Sequence, residues 1–582
     1  MKNIKIFVFT VCFLTGVFAG CTDLLNEDPS HRGTAETFFP TPKGFEAAVN
    51  ACYGALRMTN HERFLWLRGI DQFSVGEGYP YLERPGTYND LDNYSPQAME
   101  SANGNIKNFW DRHFIAVDRC NRFLSLAKDA TVAQDLINKR MGEVTVLRAW
   151  YYFQLVQQFG DIPFPLEPYA ELQSTAERIP VETIYAQLIS DLEAVSTSNA
   201  LPATLEQPGR ITRAACWMVL SKIYLTRAWS SFAQSSDFAN AAKYADKIID
   251  ESPFQLLDKY HMIFVPNNEK NSEVILSIQW SKDRSQAQWD WAMSADNWGN
   301  NIHSKFGIAY DGGPGGIRSN FYNRLLRVYN EQPYLNLIFG VDTLANPGKS
   351  YIAPPQQEAI TTFPHNHSYT IDSRYDGSFI RLYMAERTEI GRVKWVLGEE
   401  TKVNIMAAPG SAHLQEVPIA FNQEYFNRGY NIDFWEGARD TSIYLARPCE
   451  SHLWPMERWV YVKYNVELSR YAFADENSKE AEYYKNENGV LTGYPRVNWV
   501  KVTIAKFWEP QTIYSDNWGV RDFILFRKAE AYLLAAEAYY KMGESGKAAD
   551  RINVLRQRAC THSNPNYMDV KAADIDIDFI LD

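Results

Sequence analysis

Aromatic side chains are concentrated in two stretches of the chain, where carboxylates and amides lie between them. The first stretch carries Trp66, Asp71, Tyr79, Tyr81, Tyr88 and Tyr94. The second carries Trp280, Trp289, Asp290, Trp291, Asn297, Trp298 and Tyr310. A sugar ring has an apolar C–H face and a rim of hydroxyls, so its site needs flat aromatic surfaces beside hydrogen-bonding groups. The composition of both stretches therefore predicts a carbohydrate-binding surface.

Each stacked sugar ring would contribute about 1 kcal/mol, as other aromatic contacts do, so several platforms are needed to hold a glycan chain. The alternative is that these aromatics fill small cores of their own stretches, because large aromatic side chains are buried on average. The clustering favours binding. The candidate ligand contacts are Trp66, Asp71, Tyr79, Tyr81, Trp289, Trp291 and Trp298.

Signatures of catalysis are missing from the sequence, which has no H-E-x-x-H, no G-x-S-x-G, no Walker loop and no dinucleotide fingerprint. His365 and His367 are the only close histidine pair, and an exposed polar loop explains them better than a metal site does. Paired carboxylates for glycoside cleavage stay an open alternative, because their separation cannot be read from a sequence. We expect a binding protein with no catalytic residues, no cofactor and no metal site; a structural calcium ion is not predicted.

The elements that must position the aromatic stretches are helical. Residues 527–559 contain an alanine-rich run, a glycine turn at 543–546 and a second amphipathic run. Small residues alternate with large ones along the first run, which allows a neighbouring helix to approach closely. Such a pair is typical of a tetratricopeptide-like repeat.

The same layout recurs along the chain and predicts eight helices in four consecutive pairs. They are Phe45–Leu56, Asn108–Ala127, Gln134–Phe159, Val181–Val195, Arg213–Trp229, Phe238–Asp250, Phe526–Met542 and Lys547–Arg558. The predicted fold class is mainly α: four tetratricopeptide-like helix pairs in a solenoid, with a large loop-rich insertion that carries short β-strands.

Two insertions interrupt this solenoid, and they contain the aromatic stretches. The first is residues 57–107, and the second is residues 251–525, which holds 11 of the 16 Trp. Alternating apolar runs predict short strands at Val274–Ile278, Phe379–Tyr383, Val393–Leu397, Val460–Tyr464 and Val500–Ala505. We therefore divide the chain into helical repeats at 21–250, the second insertion at 251–525 and a last repeat pair at 526–582. Long loops inside a compact chain are usually functional.

Charge and cysteine usage exclude several classes of protein. The net charge is −12 and no basic run is present, which argues against nucleic acid and anionic lipid surfaces as partners. An odd number of cysteines remains beyond residue 21, and C-x-x-C is absent, so neither a disulfide framework nor a zinc site is expected. Buried thiols on helix faces behave as small hydrophobic groups.

The first 20 residues are typical of a secretion signal. Lys2 and Lys5 precede an apolar core, and Ala19-Gly20 forms a small-residue cleavage site. The next residue is Cys21, as in the lipobox of a bacterial lipoprotein, so we expect lipid attachment there. An ordinary cleaved signal is the alternative. No later stretch is apolar enough to span a bilayer, which would leave lipid as the anchor.

Six segments, in this order, resemble the SusD/RagB family of outer-membrane nutrient-binding lipoproteins. They are LLNEDPS, FEAAVNACYGAL, GEVTVLRAWYYFQLVQQFGDIPF, RITRAACWMVLSKIYLTRAW, FANAAKYADKIID followed by NSEVILSI, and RKAEAYLLAAEAYY with AADRINVLRQRA. The resemblance implies four tetratricopeptide-like pairs and a loop-rich face that binds ligand. It also implies a SusC-like TonB-dependent transporter, on which the protein sits as a lid and to which it passes oligomers.

The expected function is that of a lipoprotein on the cell exterior which binds oligosaccharide or polysaccharide and delivers it to that transporter. A peptide-binding member of the same family, a lipid-anchored glycan hydrolase and a protein-binding helical adaptor are the alternatives. Family members normally continue past the last repeat pair. Residues 578–582 look like the start of the next helix, so the family pattern is expected to be truncated here.

Overall fold

The computed structural model describes residues 38–61, 99–169, 175–264, 268–280, 521–560 and 564–581, apart from the side chains of residues 61, 261 and 581. Between these ranges it describes a few single positions and the backbone of short strands. Within this part of the chain the architecture is a stack of helix pairs, against which one two-stranded ladder packs.

Eight long helices form four consecutive pairs, as the sequence predicts. They are α1 Pro42–His61, α2 Gly104–Leu126, α3 Gln134–Phe159, α4 Val181–Thr197, α5 Arg213–Ala228, α6 Asp237–Asp246, α7 Lys528–Lys541 and α8 Ser545–Ala559. A π-helical turn, Lys247–Glu251, extends α6 to about the predicted end. Each helix packs on its neighbours in chain order, and α7 packs on α6 across the second insertion. The solenoid prediction is confirmed.

The centre of the core lies along α3 and α5, which are buried around most of their circumference. Tyr151 and Tyr152 of α3 are almost fully enclosed, and the hydroxyl of Tyr151 donates to the carbonyl oxygen of Cys52 in α1 at 2.9 Å. Cys52, Cys120 and Cys216 are buried on helix faces, as expected of thiols that act as small apolar groups. The fold is therefore stabilised by packing between helices.

Strands β2 (Val274–Ile278) and β12 (Phe523–Arg527) form an antiparallel ladder against this core. The prediction that the seventh helix starts at Phe526 was wrong, because Phe526 pairs with Leu276 and Arg527 is still extended at φ −139°. The run from 523 to 527 is mostly apolar and aromatic, which suits a strand better than the first turn of a helix. Phe526 also packs edge-on against Trp150 of α3, with ring centroids 4.9 Å apart.

The other strands are short and pair two by two. They are β1 Phe73–Val75, β3 Tyr329–Glu331, β4 Phe379–Ile380, β5 Val393–Val396, β6 Glu400–Met406, β7 Leu414–Ala420, β8 Ser442–Leu445, β9 Val462–Asn465, β10 Arg470–Phe473 and β11 Thr503–Ile504. The antiparallel pairs are β1–β3, β4–β11, β5–β8, β6–β7 and β9–β10. The five predicted strands are present, four of them shorter or shifted.

The chain continues beyond α8 into a small apolar cluster. Helix α9 (Ile577–Leu581) begins where the sequence predicts a helix start, and the side chain of Asp576 accepts from the backbone N–H of Phe579 at 2.7 Å. Phe579 and Ile580 pack against the cluster that includes Ala536 of α7. Among the described residues, no helix has both the length and the apolar character needed to cross a bilayer.

Candidate functional site

The points at which the two insertions leave the solenoid meet in space. Arg57 of α1 stands where the first insertion begins, and its Nε donates to the carbonyl oxygen of Gln279 at 2.8 Å. Its guanidinium lies over the ring of Trp280, 5.3 Å from the centroid. The backbone N–H of Trp280 donates to Oδ1 of Asp522 at 2.7 Å. We call these four residues the root clasp.

Burial shapes the electrostatics of the root clasp. It lowers the pKa of Arg57, and the nearby Asp522 carboxylate works in the opposite direction. Burial also raises the pKa of Asp522, although the N–H of Trp280 partly offsets this effect. The Asp522 carboxylate thus offsets part of the desolvation cost of Arg57, and the N–H of Trp280 offsets part of that of Asp522. The clasp connects Arg57, at the start of the first insertion, to residues that follow β2 and precede β12.

The loop that precedes α5 lies against the root clasp at Gly209. Its φ is +79°, a conformation that favours glycine, and a Cβ placed there would lie 2.5 Å from Cγ of Gln279 and 3.1 Å from the carbonyl oxygen of Ser277. A larger residue would have to displace Gln279, whose carbonyl is the acceptor for Arg57. Gly209 therefore allows close approach of this loop to β2.

A buried charge network lies beside this loop and connects it to α1 and α3. The Glu143 carboxylate accepts from the hydroxyl of Tyr53 at 2.8 Å and from Nη1 of Arg210 at 3.2 Å, and it pairs with Arg140. Both arginines also contact Glu46 of α1, at 2.9 and 3.1 Å. Burial raises the pKa of Glu143, and the two guanidinium groups oppose that rise. Through Arg210, these contacts hold the loop that contains Gly209 against α1 and α3.

The backbones of the two insertions also meet. Strand β1 belongs to the first insertion and β3 to the second, and they pair antiparallel with Ser74 opposite Asn330. The ladder pairs the backbone of one segment of the first insertion with that of one segment of the second.

Two members of the aromatic stretches, Tyr94 and Trp280, have described side chains, and they differ in environment. Trp280 packs against the helical core, and the guanidinium of Arg57 lies over its ring. It therefore stabilises the base of the insertions. Tyr94 is 60% exposed, and its backbone has a φ of +51°, which is uncommon for a residue other than glycine. Such backbone strain is found preferentially at functional sites. Of the two, Tyr94 is the one whose side chain is mainly exposed to solvent.

The predicted ligand contacts lie outside the described residues. This holds for Trp66, Asp71, Tyr79, Tyr81, Trp289, Trp291 and Trp298, and also for the signal segment and Cys21. They stay predictions. The residues that sequence reasoning missed are Arg57, Gly209 and Asp522, which belong to no motif and are brought together only by the fold.

Comparison with known proteins identifies the family. A family model described as starch-binding and associating with the outer membrane matches residues 79–225, and a model of the SusD family matches residues 417–582. The chain belongs to the SusD/RagB family. The SusD-like protein P25 of Formosa agariphila is 26% identical over 292 residues, which is 49% of this chain and 52% of that protein. The chain thus spans about half the length of this curated relative.

Solved structures of SusD-like proteins share the fold. A SusD homolog from Bacteroides thetaiotaomicron superposes with a TM-score of 0.56 at 15% identity, covering 94% of this chain and 83% of that one. The surface glycan-binding protein A from the same organism, in complex with laminarihexaose, gives a TM-score of 0.51 at 16% identity, covering 93% and 86%. The chain has the mainly α SusD-like fold.

Proposed function

We propose that this SusD/RagB chain is a non-enzymatic lipoprotein of the outer membrane that binds an oligosaccharide or polysaccharide. In this proposal the lipid is attached at Cys21, the protein faces the cell exterior, and the ligand is passed to a SusC-like TonB-dependent transporter. Family membership carries the proposal, since one matching model describes starch-binding proteins. The related fold crystallised with laminarihexaose supports a neutral glycan as the ligand.

The geometry adds support that is independent of any relative. The root clasp connects α1 to the residues that flank the segment between β2 and β12, and the β1–β3 ladder pairs a segment of the first insertion with one of the second. Because these contacts are formed before a glycan binds, the protein loses less conformational entropy on binding. Tyr94 supplies an exposed aromatic face in the first of these insertions.

The proposal is tested by affinity electrophoresis of the purified chain in native gels cast with laminarin, starch or xylan. We expect slower migration in at least one gel. The variant with Trp289→Ala, Trp291→Ala and Trp298→Ala should migrate freely while its melting temperature stays unchanged. The control is Tyr567→Ala, because Tyr567 is an exposed aromatic side chain in the C-terminal segment.

Two results would overturn glycan binding. One is unchanged mobility of the wild-type chain in every gel together with a peptide pool that binds in calorimetry. The other is release of shortened glycans by the pure protein, which would identify a hydrolase. Delivery is tested separately, by copurification of the membrane-anchored chain with a TonB-dependent transporter and by loss of surface labelling in a Cys21→Ser variant.

A further inference from the structure

An exposed indole on the solenoid, outside both insertions, is held in one orientation. Trp229 follows the last residue of α5 and is 47% exposed. Its Nε1 donates to Oε1 of Glu537 in α7 at 2.7 Å. The ammonium of Lys541 lies 4.1 Å from the ring centroid, and Phe238 packs edge-on at 6.2 Å. The ring is therefore oriented from three directions while nearly half of its surface faces solvent.

The surroundings of this indole supply polar groups of the kind that sugar hydroxyls need. The segment after Trp229 exposes small hydroxyl and amide side chains: Ser231, Gln234, Ser235 and Ser236. The ammonium of Lys541 lies over one face of the indole, so a sugar ring would stack on the opposite face. One turn before Glu537, Leu533 is 45% exposed and adds apolar surface on the same helix.

Orientation in advance distinguishes this indole from an ordinary exposed side chain. A free tryptophan would lose rotamer freedom on binding, which costs about 0.5–1.5 kcal/mol for an immobilised side chain. Here the hydrogen bond to Glu537 and the contact with Lys541 have already removed that freedom. The stacking energy of a sugar ring, about 1 kcal/mol, is then not cancelled by ordering of the protein.

We propose that Trp229, together with Glu537 and Lys541, forms a second carbohydrate contact on the flank of the solenoid, which stacks a hexopyranose ring of a long glycan. This inference rests on the proposed function, since it assigns a further contact to the same class of ligand. A protein partner fits less well. A stable interface buries about 800 Å² on each side, which is more surface than one half-exposed indole and Leu533 provide.

The test compares Trp229→Ala with the wild-type chain in calorimetry and affinity gels, using laminarin or starch as the long glycan and its hexasaccharide as the short one. We expect Trp229→Ala to weaken polysaccharide binding about fivefold, as loss of about 1 kcal/mol requires, and to leave hexasaccharide binding unchanged. Trp229→Phe, which keeps an aromatic ring but loses the N–H donor, should retain intermediate affinity. Tyr567→Ala is the control for an exposed aromatic side chain elsewhere.

The outcomes separate this inference from the proposed function. If Trp229→Ala binds the polysaccharide as the wild type does, the second contact is refuted and glycan binding stands. If that variant instead loses copurification with a transporter, the surface is a protein docking site and the inference is likewise refuted. If the wild-type chain binds none of the glycans, both proposals are refuted. Melting temperatures of both Trp229 variants show whether a loss of affinity reflects unfolding.

Discussion

The Nε of Arg57 and the carbonyl oxygen of Gln279 lie 2.8 Å apart although 222 residues separate them in sequence. Arg57 lies in α1 at the start of the first insertion, and Gln279 follows strand β2 within the second. One hydrogen bond therefore joins the two insertions at their base. The adjoining contact from Trp280 to Asp522 extends this connection to the returning end of the second insertion.

Replacing Arg57 by Met should lower the free energy of unfolding by about 2 kcal/mol. The buried carbonyl of Gln279 would lose its donor and Asp522 a neighbouring cation, and an unsatisfied buried group costs about 1–3 kcal/mol. Urea denaturation followed by circular dichroism measures the change. Arg122→Met is the control, because Arg122 forms an exposed ion pair with Asp118 within one helix, worth less than about 1 kcal/mol. If both substitutions lowered the free energy of unfolding equally, the claim that the root clasp stabilises the fold would be contradicted.

Glu143→Gln should destabilise the protein strongly, by about 3 kcal/mol or more. The substitution removes the carboxylate shared by Arg140 and Arg210 and leaves buried cations with fewer partners. Because the network is shielded, the loss should persist in 1 M salt, unlike that of a surface pair. Glu206→Gln, which breaks an exposed pair with Lys139, should cost less than about 1 kcal/mol. A loss of comparable size in the two variants would show that burial of Glu143 is unimportant.

Two glycine substitutions should have opposite signs. Gly209→Ala places a Cβ against Gln279 at a φ of +79°, so we expect a loss of at least about 1 kcal/mol. Gly546→Ala introduces a methyl group into open space within α8, where alanine is favoured over glycine by about 1 kcal/mol. Thermal unfolding of both variants beside the wild type gives the answer. A stable Gly209→Ala protein would mean that the loop does not press on β2.

The buried His113 should make stability fall with acidification. Burial lowers its pKa from 6.5 to about 4. Its Nδ1 faces the carbonyl oxygen of Phe109 at 2.7 Å, and Nε2 lies 3.0 Å from the amide of Gln154. Both acceptors favour the protonated ring, but burial outweighs them, so the folded state favours the neutral imidazole. The contribution of His113 to stability is therefore complete above pH 6.5 and is lost as pH falls towards 4.

That loss amounts to roughly 3 kcal/mol, since one pKa unit corresponds to about 1.4 kcal/mol. Urea unfolding at pH 7 and pH 4.5 measures it, and His113→Gln provides the comparison because glutamine does not titrate. The wild type should lose roughly 2–3 kcal/mol more than the variant between the two pH values. Parallel losses would show that His113 is not buried in the neutral form.

Most of the fold was predicted from helical periodicity, because the buried face of each repeat helix shows in the spacing of apolar residues along that segment alone. Helix α3 has the predicted bounds, Gln134–Phe159. Phe526 was assigned to a helix because an alanine-rich run follows it directly, whereas its pairing with Leu276 depends on a strand far away in sequence. Local patterns do not report such pairings.

The ligand contacts predicted from composition lie outside the described residues and stay predictions. The composition of the insertions points to sugar binding, and Tyr94 is exposed as such a role needs. Trp280 belongs to the same aromatic pattern but lies under Arg57, where it supports the insertions instead of meeting ligand. Composition alone cannot separate these two roles, because both favour aromatic residues. Arg57 and Asp522 carry no signal in the sequence, since their function arises from proximity in three dimensions.

Hydrogen–deuterium exchange of the chain, free and saturated with a glycan that it retains in gels, tests the central claim most directly. The account predicts slower exchange on binding in peptides from 57–107 of the first insertion and from 281–328 of the second. Exchange in the helices that surround Tyr151 should stay unchanged. Protection in neither insertion at saturating glycan, or protection restricted to the solenoid helices, would contradict it.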